Sequence, residues 1–298
     1  MFGMILIIGQ AYAAEVAVTP STQILIPGAT FITNISIDPQ GTTIAGAQLN
    51  IAFNSSLIRV NSITEGNLFN RGAATFFNDG TINNSAGTVI NTFNAIIGRY
   101  NVTTQGNFII INATVIGTYG TSGINISNVK ISDPNGNPVA LNVTNGSVRL
   151  NRAPTFTANP TNGSIYNESD TIQISVTAND PDNDILSYSI KLNGVQVSSS
   201  STYNWITNFS NSGFYTINIT VSDGIANSNS ILTIYINNVY PRYDVNENGE
   251  VDVGDLTIIG QHFNEIVSTP YPRYDVNSDG VVDVLDITLT AQYFGEYT

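Results

Sequence analysis

The chain has no cysteine, a single histidine, His262, and only nine basic residues among 298. The absence of cysteine excludes disulfides, cysteine nucleophiles and Cys/His zinc sites. One histidine leaves one imidazole as a general base for the whole chain. Nucleic acid is bound by clustered Lys and Arg, so the sequence predicts no nucleic-acid partner.

The acidic residues are concentrated at the C-terminal end. Residues 15–150 carry five acidic and five basic side chains, residues 151–239 six and two, and residues 240–298 eleven and two. The net charges of the three segments are therefore 0, −4 and −9, which sum to the formal net charge of −13 for the chain. Carboxylates at such density either repel one another or hold cations. The last segment is therefore the first candidate for a metal site.

The N-terminus reads as an export signal. Residues 2–8 are apolar, and Ala11-Tyr12-Ala13 has the small-x-small form of a cleavage site. Crossing a bilayer takes ~20 apolar residues, more than this run offers. We predict a signal peptide over residues 1–14, cut near Ala13 or Ala14, and an extracellular or cell-surface protein without a membrane span. A disordered or core N-terminus is the alternative.

The pattern Asn-x-Ser/Thr occurs repeatedly before residue 240 and not after it. It begins at Asn34, Asn54, Asn83, Asn101, Asn112, Asn125, Asn142, Asn145, Asn162, Asn167, Asn208 and Asn218. The pattern marks N-glycosylation acceptors, so we expect a glycoprotein if the host glycosylates asparagine.

Residues 15–150 alternate between apolar and polar side chains. In AQLNIAF, Ala47, Leu49, Ile51 and Phe53 fall on one face, and FITNISI over 31–37 alternates in the same way. Gly, Pro and Asn clusters separate such segments at short intervals. This pattern is typical of an antiparallel β-sandwich.

A second all-β unit is predicted over residues 151–239. About seven short strands in this span indicate an Ig-like sandwich, with Trp205 in its core. Asp180, Asp182 and Asp184 alternate within one of its turns. Two interpretations stay open there: a calcium site, or a polar turn between strands.

The acidic segment contains one motif twice. YPRYDVNENGEVDVGDLTIIGQHFNE and YPRYDVNSDGVVDVLDITLTAQYFGE match at 16 of 26 positions. Loop positions 1, 3, 5, 7, 9 and 12 are Asp244, Asn246, Asn248, Glu250, Asp252 and Asp255 in the first copy, and Asp275, Asn277, Asp279, Val281, Asp283 and Asp286 in the second. With a main-chain oxygen at position 7 and Gly249 or Gly280 at position 6, this is the oxygen spacing of an EF-hand loop. The sequence therefore predicts two Ca²⁺ ions.

A helix is predicted after each loop. Leu256, Ile259 and Phe263 should form a buried stripe, as should the equivalent Ile287, Thr290 and Phe294. The second loop has four carboxylates against three and should fill first. Without metal, the segment should be largely unfolded. His262 is expected on the first helix surface, exposed to solvent.

The motif DVNENGEVDVGDLTIIGQHF and its copy resemble the loop–helix repeats of dockerins, over residues 240–296. The resemblance implies binding to cohesins through positions 10, 11, 18 and 22. These are Val253, Gly254, Gln261 and Glu265, then Val284, Leu285, Gln292 and Glu296. The Ser-Thr pair of many dockerins is absent at positions 10 and 11.

The stretch IAGAQLNIAFNSSLIRV (44–60) resembles cohesins, as do GRYNVTTQGNFIIINATV and ISDPNGNPVALNVTNGSVRL. The resemblance spans residues 15–150 and implies a nine-stranded jelly-roll whose flat face receives a dockerin. Candidate residues on that face are Gln48, Asn50, Asn91 and Phe93. The polar pair of well-described cohesins is replaced here by Gly46 and Gln48. In the middle unit, NRAPTF, NDPDNDILSYSI and TVSDGIANS resemble Ig-like and PKD-like repeats of prokaryotic surface proteins.

The sequence thus predicts a mainly β protein: a cohesin-like jelly-roll (15–150), an Ig-like sandwich (151–239) and a small α dockerin-like domain (240–298). We expect a noncatalytic adaptor or scaffold that binds cohesin- and dockerin-bearing proteins. The alternatives are a filament of copies joined head to tail, a surface protein binding polysaccharide through Phe76, Phe77 or Tyr100, and an enzyme. Catalysis is disfavoured because the acids of the first unit stand in apparent turns; they are Glu15, Asp38, Glu65, Asp79 and Asp133. Whether the complex degrades polysaccharide or builds a surface layer stays open.

Overall fold

The computed structural model describes residues 13–298. Most of the predicted signal peptide, residues 1–12, lies outside the described residues. The chain divides into two compact units, the first ending at Ala153 and the second running from Pro154 to Thr298. Among the described residues, no helix is long and apolar enough to cross a membrane.

The first unit is a β-sandwich of short strands. They are β1 Ala14–Thr19, β2 Thr22–Leu25, β3 Thr30–Asp38, β4 Gly46–Phe53, β5 Ile58–Glu65, β6 Ala74–Asn78, β7 Thr81–Asn83, β8 Thr88–Ile97, β9 Gly106–Val115, β10 Gly120–Ser132, β11 Leu141–Thr144 and β12 Gly146–Leu150. One sheet has the order β11-β1-β3-β9-β5. The other has the order β2-β12-β10-β4-β8-β6, with β7 also pairing with β8.

Period-two alternation builds the core between these sheets. The predicted inward residues of β4, from Ala47 to Phe53, are at most 8% exposed. On β3, Phe31, Thr33, Ile35 and Ile37 are at most 5% exposed, which confirms the alternation. Strand pairs β1/β2, β6/β7 and β11/β12 follow each other closely along the chain. If each pair is counted as one interrupted strand, the twelve strands correspond to the nine strands expected of a cohesin-like jelly-roll.

The second unit begins with a smaller sandwich. Its strands are β13 Thr155–Asn159, β14 Ile165–Asn167, β15 Thr171–Asn179, β16 Ser187–Leu192, β17 Val195–Ser198, β18 Thr202–Ile206, β19 Gly213–Ser222 and β20 Asn227–Asn237. They form the sheets β13-β15-β18 and β14-β20-β19-β16-β17. Trp205 packs against the edge of this core, its ring 4.6 Å from that of Tyr215, and stays half-buried. The two-sheet Ig-like architecture is as predicted.

The acidic repeats supply the only two helices of the described residues, α1 Val253–Gln261 and α2 Val284–Ala291. Their core is small and takes apolar residues from both loops and both helices, among them Val245, Ile259, Val276 and Val282. The predicted helix stripe is wrong at its third member. Phe263 and Phe294 lie beyond the helix ends and are 43% and 56% exposed.

Candidate metal centre and docking faces

Each acidic loop is curled around its first aspartate. The carboxylate of Asp244 accepts hydrogen bonds from the amides of Asn248 (3.2 Å) and Gly249 (3.0 Å). The carboxylate of Asp275 does the same with Asp279 (3.2 Å) and Gly280 (3.0 Å). Gly249 and Gly280 have φ of 89° and 93°, the left-handed conformation that favours glycine. The sharp turn predicted at position 6 is therefore present in both loops.

The last carboxylate of each loop closes it onto a helix. Asp255 accepts from the amides of Asn246 (3.0 Å) and Asp252 (2.8 Å). Asp252 is the N-cap of α1, so the two aspartates form a capping box. Asp283 and Asp286 form the same box at α2. Positions 9 and 12 therefore hold both the loop and the helix start in place.

The burial of these side chains fits a cation. Asp244, Asp255, Asp275 and Asp286 are each 0% exposed. No Lys, Arg or His side chain within residues 13–298 forms an ion pair with any of them. Buried carboxylates are unfavourable unless they are paired or coordinate a metal. The oxygen-only donor set, with amide and main-chain oxygens added, suits a hard cation such as Ca²⁺.

Two differences between the loops affect the charge around their first aspartates. Position 5 is neutral Asn248 in the first loop and charged Asp279 in the second. In addition, the hydroxyl of Thr298 donates to the Asp244 carboxylate at 2.7 Å. The amide of Thr298 donates to the Gly249 carbonyl, and the amide of Val267 donates to the equivalent Gly280 carbonyl. Val267 therefore occupies in the second loop the place that Thr298 occupies in the first.

Two arginines that sequence reasoning missed tie the repeats together. Arg242 donates to the carbonyl oxygens of Pro272 and Asp275, both at 2.5 Å. Arg273 donates to the carbonyl oxygens of Asp244 (2.7 Å) and Pro241. Both arginines belong to the repeated YPRYD motif, and this repetition was the sequence signal that could have identified them. Each arginine fixes the start of the opposite loop.

Aromatic rings stack across the repeats in the same reciprocal way. The rings of Tyr243 and Tyr293 lie 3.9 Å apart and nearly parallel, and those of Tyr274 and His262 lie 3.8 Å apart. His262 also bonds Glu265 at 3.0 Å. His262 lies at the surface end of α1, as expected, with 34% of its side chain exposed, and Tyr274 covers one face of its ring.

Two of these tyrosines, Tyr243 and Tyr274, have pKa values above the usual tyrosine value. Partial removal from water, and then the charge of Glu296, raises the pKa of Tyr243. The pKa of Tyr274 is raised for the same first reason and then by the Glu265 carboxylate. Both phenols stay neutral donors at neutral pH.

In the first unit, four adjacent strands present a flat outward surface, which we call the four-strand face. Its strands are β10, β4, β8 and β6, in that order across the sheet. The register places Lys130, Gln48, Phe93 and Asn78 in one row across them, and Ser132, Gly46, Ala95 and Phe76 in another. Phe76 is 62% exposed, and its ring lies 5.5 Å from that of Phe93.

Comparison with protein-family models divides the chain into three matches. Residues 15–150 match the cohesin domain, residues 155–240 a bacterial Ig domain, and residues 242–295 the dockerin type I domain. The chain combines a cohesin, an Ig domain and a dockerin. All three are non-catalytic interaction modules, and dockerin type I domains are known calcium binders.

Solved structures similar to this chain include cohesins from an archaeon and from bacteria. A non-cellulosomal cohesin of Archaeoglobus fulgidus has 14% identity and a TM-score of 0.37, covering 47% of this chain and 91% of that one. A Coh-OlpC–Doc435 complex of Clostridium thermocellum has 16% identity and a TM-score of 0.39, covering 47% and 94%. The cohesin of a Clostridium perfringens family 33 glycoside hydrolase has 16% identity and a TM-score of 0.37, covering 46% and 95%. The search of curated proteins returned no match.

On the cohesin, the structure places the four predicted face residues in two contacting pairs on β4 and β8. Gln48 pairs with Phe93 across β4 and β8. Asn91 lies in a bulge with φ of 61°, and its amide donates to the Asn50 side chain at 2.9 Å. Asn50 therefore holds the bulge, while Gln48 and Phe93 stand in the row that ends at Lys130. Lys130 and Phe76 were missed because their strands were not assigned to this face.

On the dockerin, the predicted recognition residues stand on the surface. Val253, Val284 and Leu285 are 67%, 58% and 55% exposed. Gln261, Glu265, Gln292 and Glu296 are exposed as well, and Gly254 is half-exposed. Glu265 is engaged by His262, whose ring contacts it at 3.0 Å.

The Ig domain carries the acidic turn noted in the sequence. Carboxylate oxygens of Asp180, Asp182 and Asp184 lie within 4.8 Å of one another. Asp180 is 5% exposed and accepts from the amides of Asp182 (2.7 Å) and Asp184 (3.1 Å). These two bonds are those of the polar turn, the second of the two interpretations given above.

Proposed function

We propose that the protein is a noncatalytic extracellular adaptor. Its cohesin receives dockerin-bearing proteins on the four-strand face, and its dockerin docks on a cohesin. The observation that carries this proposal is that one chain contains both members of the cohesin–dockerin pair. A protein with one module of each kind joins two partners without any chemistry of its own.

Calcium is the proposed cofactor of the dockerin, with one ion in each loop. Asp244, Asn246, Asn248, Asp252 and Asp255 would hold the first ion, with the Glu250 carbonyl. The second loop would use Asp275, Asn277, Asp279, Asp283 and Asp286, with the Val281 carbonyl. The four fully buried carboxylates support this assignment, because bound Ca²⁺ compensates their charge. The recognition residues start at the helix N-termini, so calcium would order them as well.

The acids of the cohesin support a non-catalytic role because they serve structure. Glu65 accepts from Thr75 (2.7 Å) and from the buried Asn94 (2.9 Å). Hydrogen bonds from Asn137 hold the pKa of Asp133 below its usual value, so this acid stays ionised in its turn. Cohesin and dockerin modules are typical of extracellular cellulosome proteins, which supports the proposed location. Extracellular calcium loops bind at ~10⁻⁴–10⁻³ M, suited to that setting.

The test is calorimetry of the full chain against each cohesin and each dockerin protein of the source organism, produced separately. We expect at least one dockerin to bind, and to lose binding with Phe76→Asp. We expect at least one cohesin to bind in calcium and not in chelator. Binding that ignores both the variant and the chelator would contradict the adaptor role.

A further inference from the structure

The four-strand face of the cohesin has an aromatic half and a cationic edge. Lys130 on β10 is exposed, and neither of the two rows across the face contains a carboxylate. Phe76, on β6, is three strands away from it. With strands ~4.8 Å apart, the backbone of Phe76 lies about 14 Å from that of Lys130, and the backbone of Phe93 about 10 Å from it.

A groove of about 480 Å³ opens on this sheet between Phe93 and Lys130, both of which line it. Gly46 and Ala95 lie side by side across β4 and β8 and leave it room. A Cβ at Gly46 would lie 3.1 Å from the Ser132 hydroxyl and 3.6 Å from the Ala95 methyl group. The groove therefore exists because both residues are small, and it suits an apolar side chain of a partner.

The second repeat of the dockerin on the same chain has the complementary pattern. Val284 and Leu285 form an exposed apolar pair at the start of α2, and Glu296 is exposed beyond its end. At a rise of ~1.5 Å per residue, α2 is about 10 Å long, and Glu296 lies beyond its far end. The apolar pair and the carboxylate are therefore at opposite ends of the helix, as Phe76 and Lys130 are on opposite strands of the face. The formal charge of −9 over residues 240–298 becomes −5 with the two proposed Ca²⁺ ions bound, which still attracts Lys130.

The first repeat has a weaker version of this pattern. Gly254 replaces Leu285, and a Cβ at Gly254 would lie 2.8 Å from the Asp252 carboxylate and 2.9 Å from the Asn246 amide. A side chain at this position would require the Asp252 and Asn246 side chains to move. In addition, Glu265 is already bonded to His262. The two repeats are alike in fold and differ in the surface they present.

We propose that the second repeat of one copy docks on the four-strand face of another copy of this chain. Val284 and Leu285 enter the aromatic half and its groove, and Glu296 pairs with Lys130. This inference rests on the proposed function and names the partner. The contact joins two different surfaces, so each copy keeps one of each free and assembly continues as an open chain.

The experiment is sedimentation velocity of the full chain in calcium at about 10 mM, above the ~10⁻⁴–10⁻³ M range of extracellular loops. The weight-average mass of the wild type should rise with protein concentration beyond two chains and return to one chain in chelator. The variant Val284→Asp/Leu285→Asp, and separately Phe76→Asp, should stay monomeric. All these positions are more than half exposed, and an acid at a helix N-terminus is favourable, so folding is kept.

Two matched samples sharpen the result. Val253→Asp changes the equivalent position of the first repeat and should assemble like the wild type. A mixture of Phe76→Asp with Val284→Asp/Leu285→Asp leaves one intact surface on each chain, so mass should stop at two chains. Assembly by Val284→Asp/Leu285→Asp, or its loss in Val253→Asp alone, would overturn the assignment to the second repeat.

Near-UV circular dichroism of the same samples distinguishes a failure of self-association from a failure of calcium to order the dockerin. A monomeric wild type whose tyrosine signal responds to calcium would overturn self-association and leave the adaptor role standing. A tyrosine signal that ignores calcium would overturn the calcium-ordered dockerin itself, and with it both proposals.

Discussion

Arg242 and Arg273 hold the same position in the two dockerin repeats, and each donates to main-chain oxygens of the opposite repeat. Arg242 reaches the Asp275 carbonyl at 2.5 Å, and Arg273 reaches the Asp244 carbonyl at 2.7 Å. Those carbonyls belong to the first predicted ligand position of each loop. Neither loop start is complete without the other repeat, so we expect calcium binding and the packing of the two repeats to be coupled.

Replacing either arginine should therefore weaken both loops. Arg242→Ala leaves the carbonyls of Pro272, Asp275 and Val276 without their charged donor. Charged hydrogen bonds contribute ~1.5–3 kcal/mol each, not additively, so we expect a loss of about 2–4 kcal/mol in dockerin stability. Denaturant unfolding in saturating calcium, followed by tyrosine circular dichroism, measures it. Arg99→Ala, at an exposed loop position of the cohesin, is the control and should leave this transition unchanged.

Much of the geometry of the proposed calcium loops was predictable because it follows from the spacing of the residues. Alternating oxygen side chains with glycine at position 6 leave few other structures, and Gly249 has the required positive φ. The β alternation was equally direct on β3 and β4, where inward residues are buried as predicted. Local pattern determines these features, so one sequence is enough to find them.

Contacts between distant segments were not predictable in the same way. The stacking of His262 on Tyr274 depends on how two repeats pack, and no spacing within either repeat encodes it. Likewise, Phe76 joins the four-strand face only because β6 pairs with β8. Strand order and the packing of the repeats are features of the tertiary structure, which local sequence patterns do not specify. The duplication of the motif indicated that the two repeats are equivalent, but it did not identify the contacts between them.

Calcium removal should unfold the dockerin and spare both sandwiches. Four carboxylates at 0% exposure lose their counter-charge, and the segment core is small. A site held at 100-fold its Kd contributes ~2.7 kcal/mol, so two sites account for a large share of a small module's stability. We expect limited proteolysis in chelator to cut within residues 240–298 and leave residues 15–239 intact. Equal protection with and without calcium would contradict this.

The second loop should bind calcium before the first. The second loop has the additional carboxylate Asp279. In the first loop, the hydroxyl of Thr298 donates to the Asp244 carboxylate, whereas Val267, at the equivalent place in the second loop, has no hydroxyl to donate to Asp275. In calorimetry of the full chain, Asp275→Asn should remove the tighter site and Asp244→Asn the weaker one.

Two matched variants test the cause of that order. Asn248→Asp should tighten the first loop by about tenfold, ~1.4 kcal/mol, because it gains the carboxylate that the second loop has. Thr298→Val reproduces the residue at the equivalent place, Val267, and should tighten the first loop by releasing the Asp244 carboxylate. Unchanged first-loop affinity in both would mean that charge count does not set the order.

The Ig domain should hold the dockerin as one body. The buried Glu168, 3% exposed, accepts from the amide of Val239 at 2.9 Å at the exit from the Ig domain. Phe209 meets the edge of Tyr243 with ring centres 6.5 Å apart, and Tyr243 is already stacked on Tyr293. These contacts join a loop of the sandwich to both repeats at once, so the dockerin should tumble with the Ig domain.

Phe209→Ala should loosen this junction because it removes the ring that bears on Tyr243. We expect ¹⁵N relaxation of the full chain in calcium to show faster tumbling for dockerin amides and unchanged tumbling for Ig amides. Phe214→Ala, in the same domain at a side chain 75% exposed, is the matched control and should leave both rates as in the wild type. Identical dockerin relaxation in Phe209→Ala and wild type would show that the Phe209 ring does not fix the dockerin. Glu168→Ala, which removes the hydrogen bond to the Val239 amide, would then show whether that bond or the shortness of the linker restrains it.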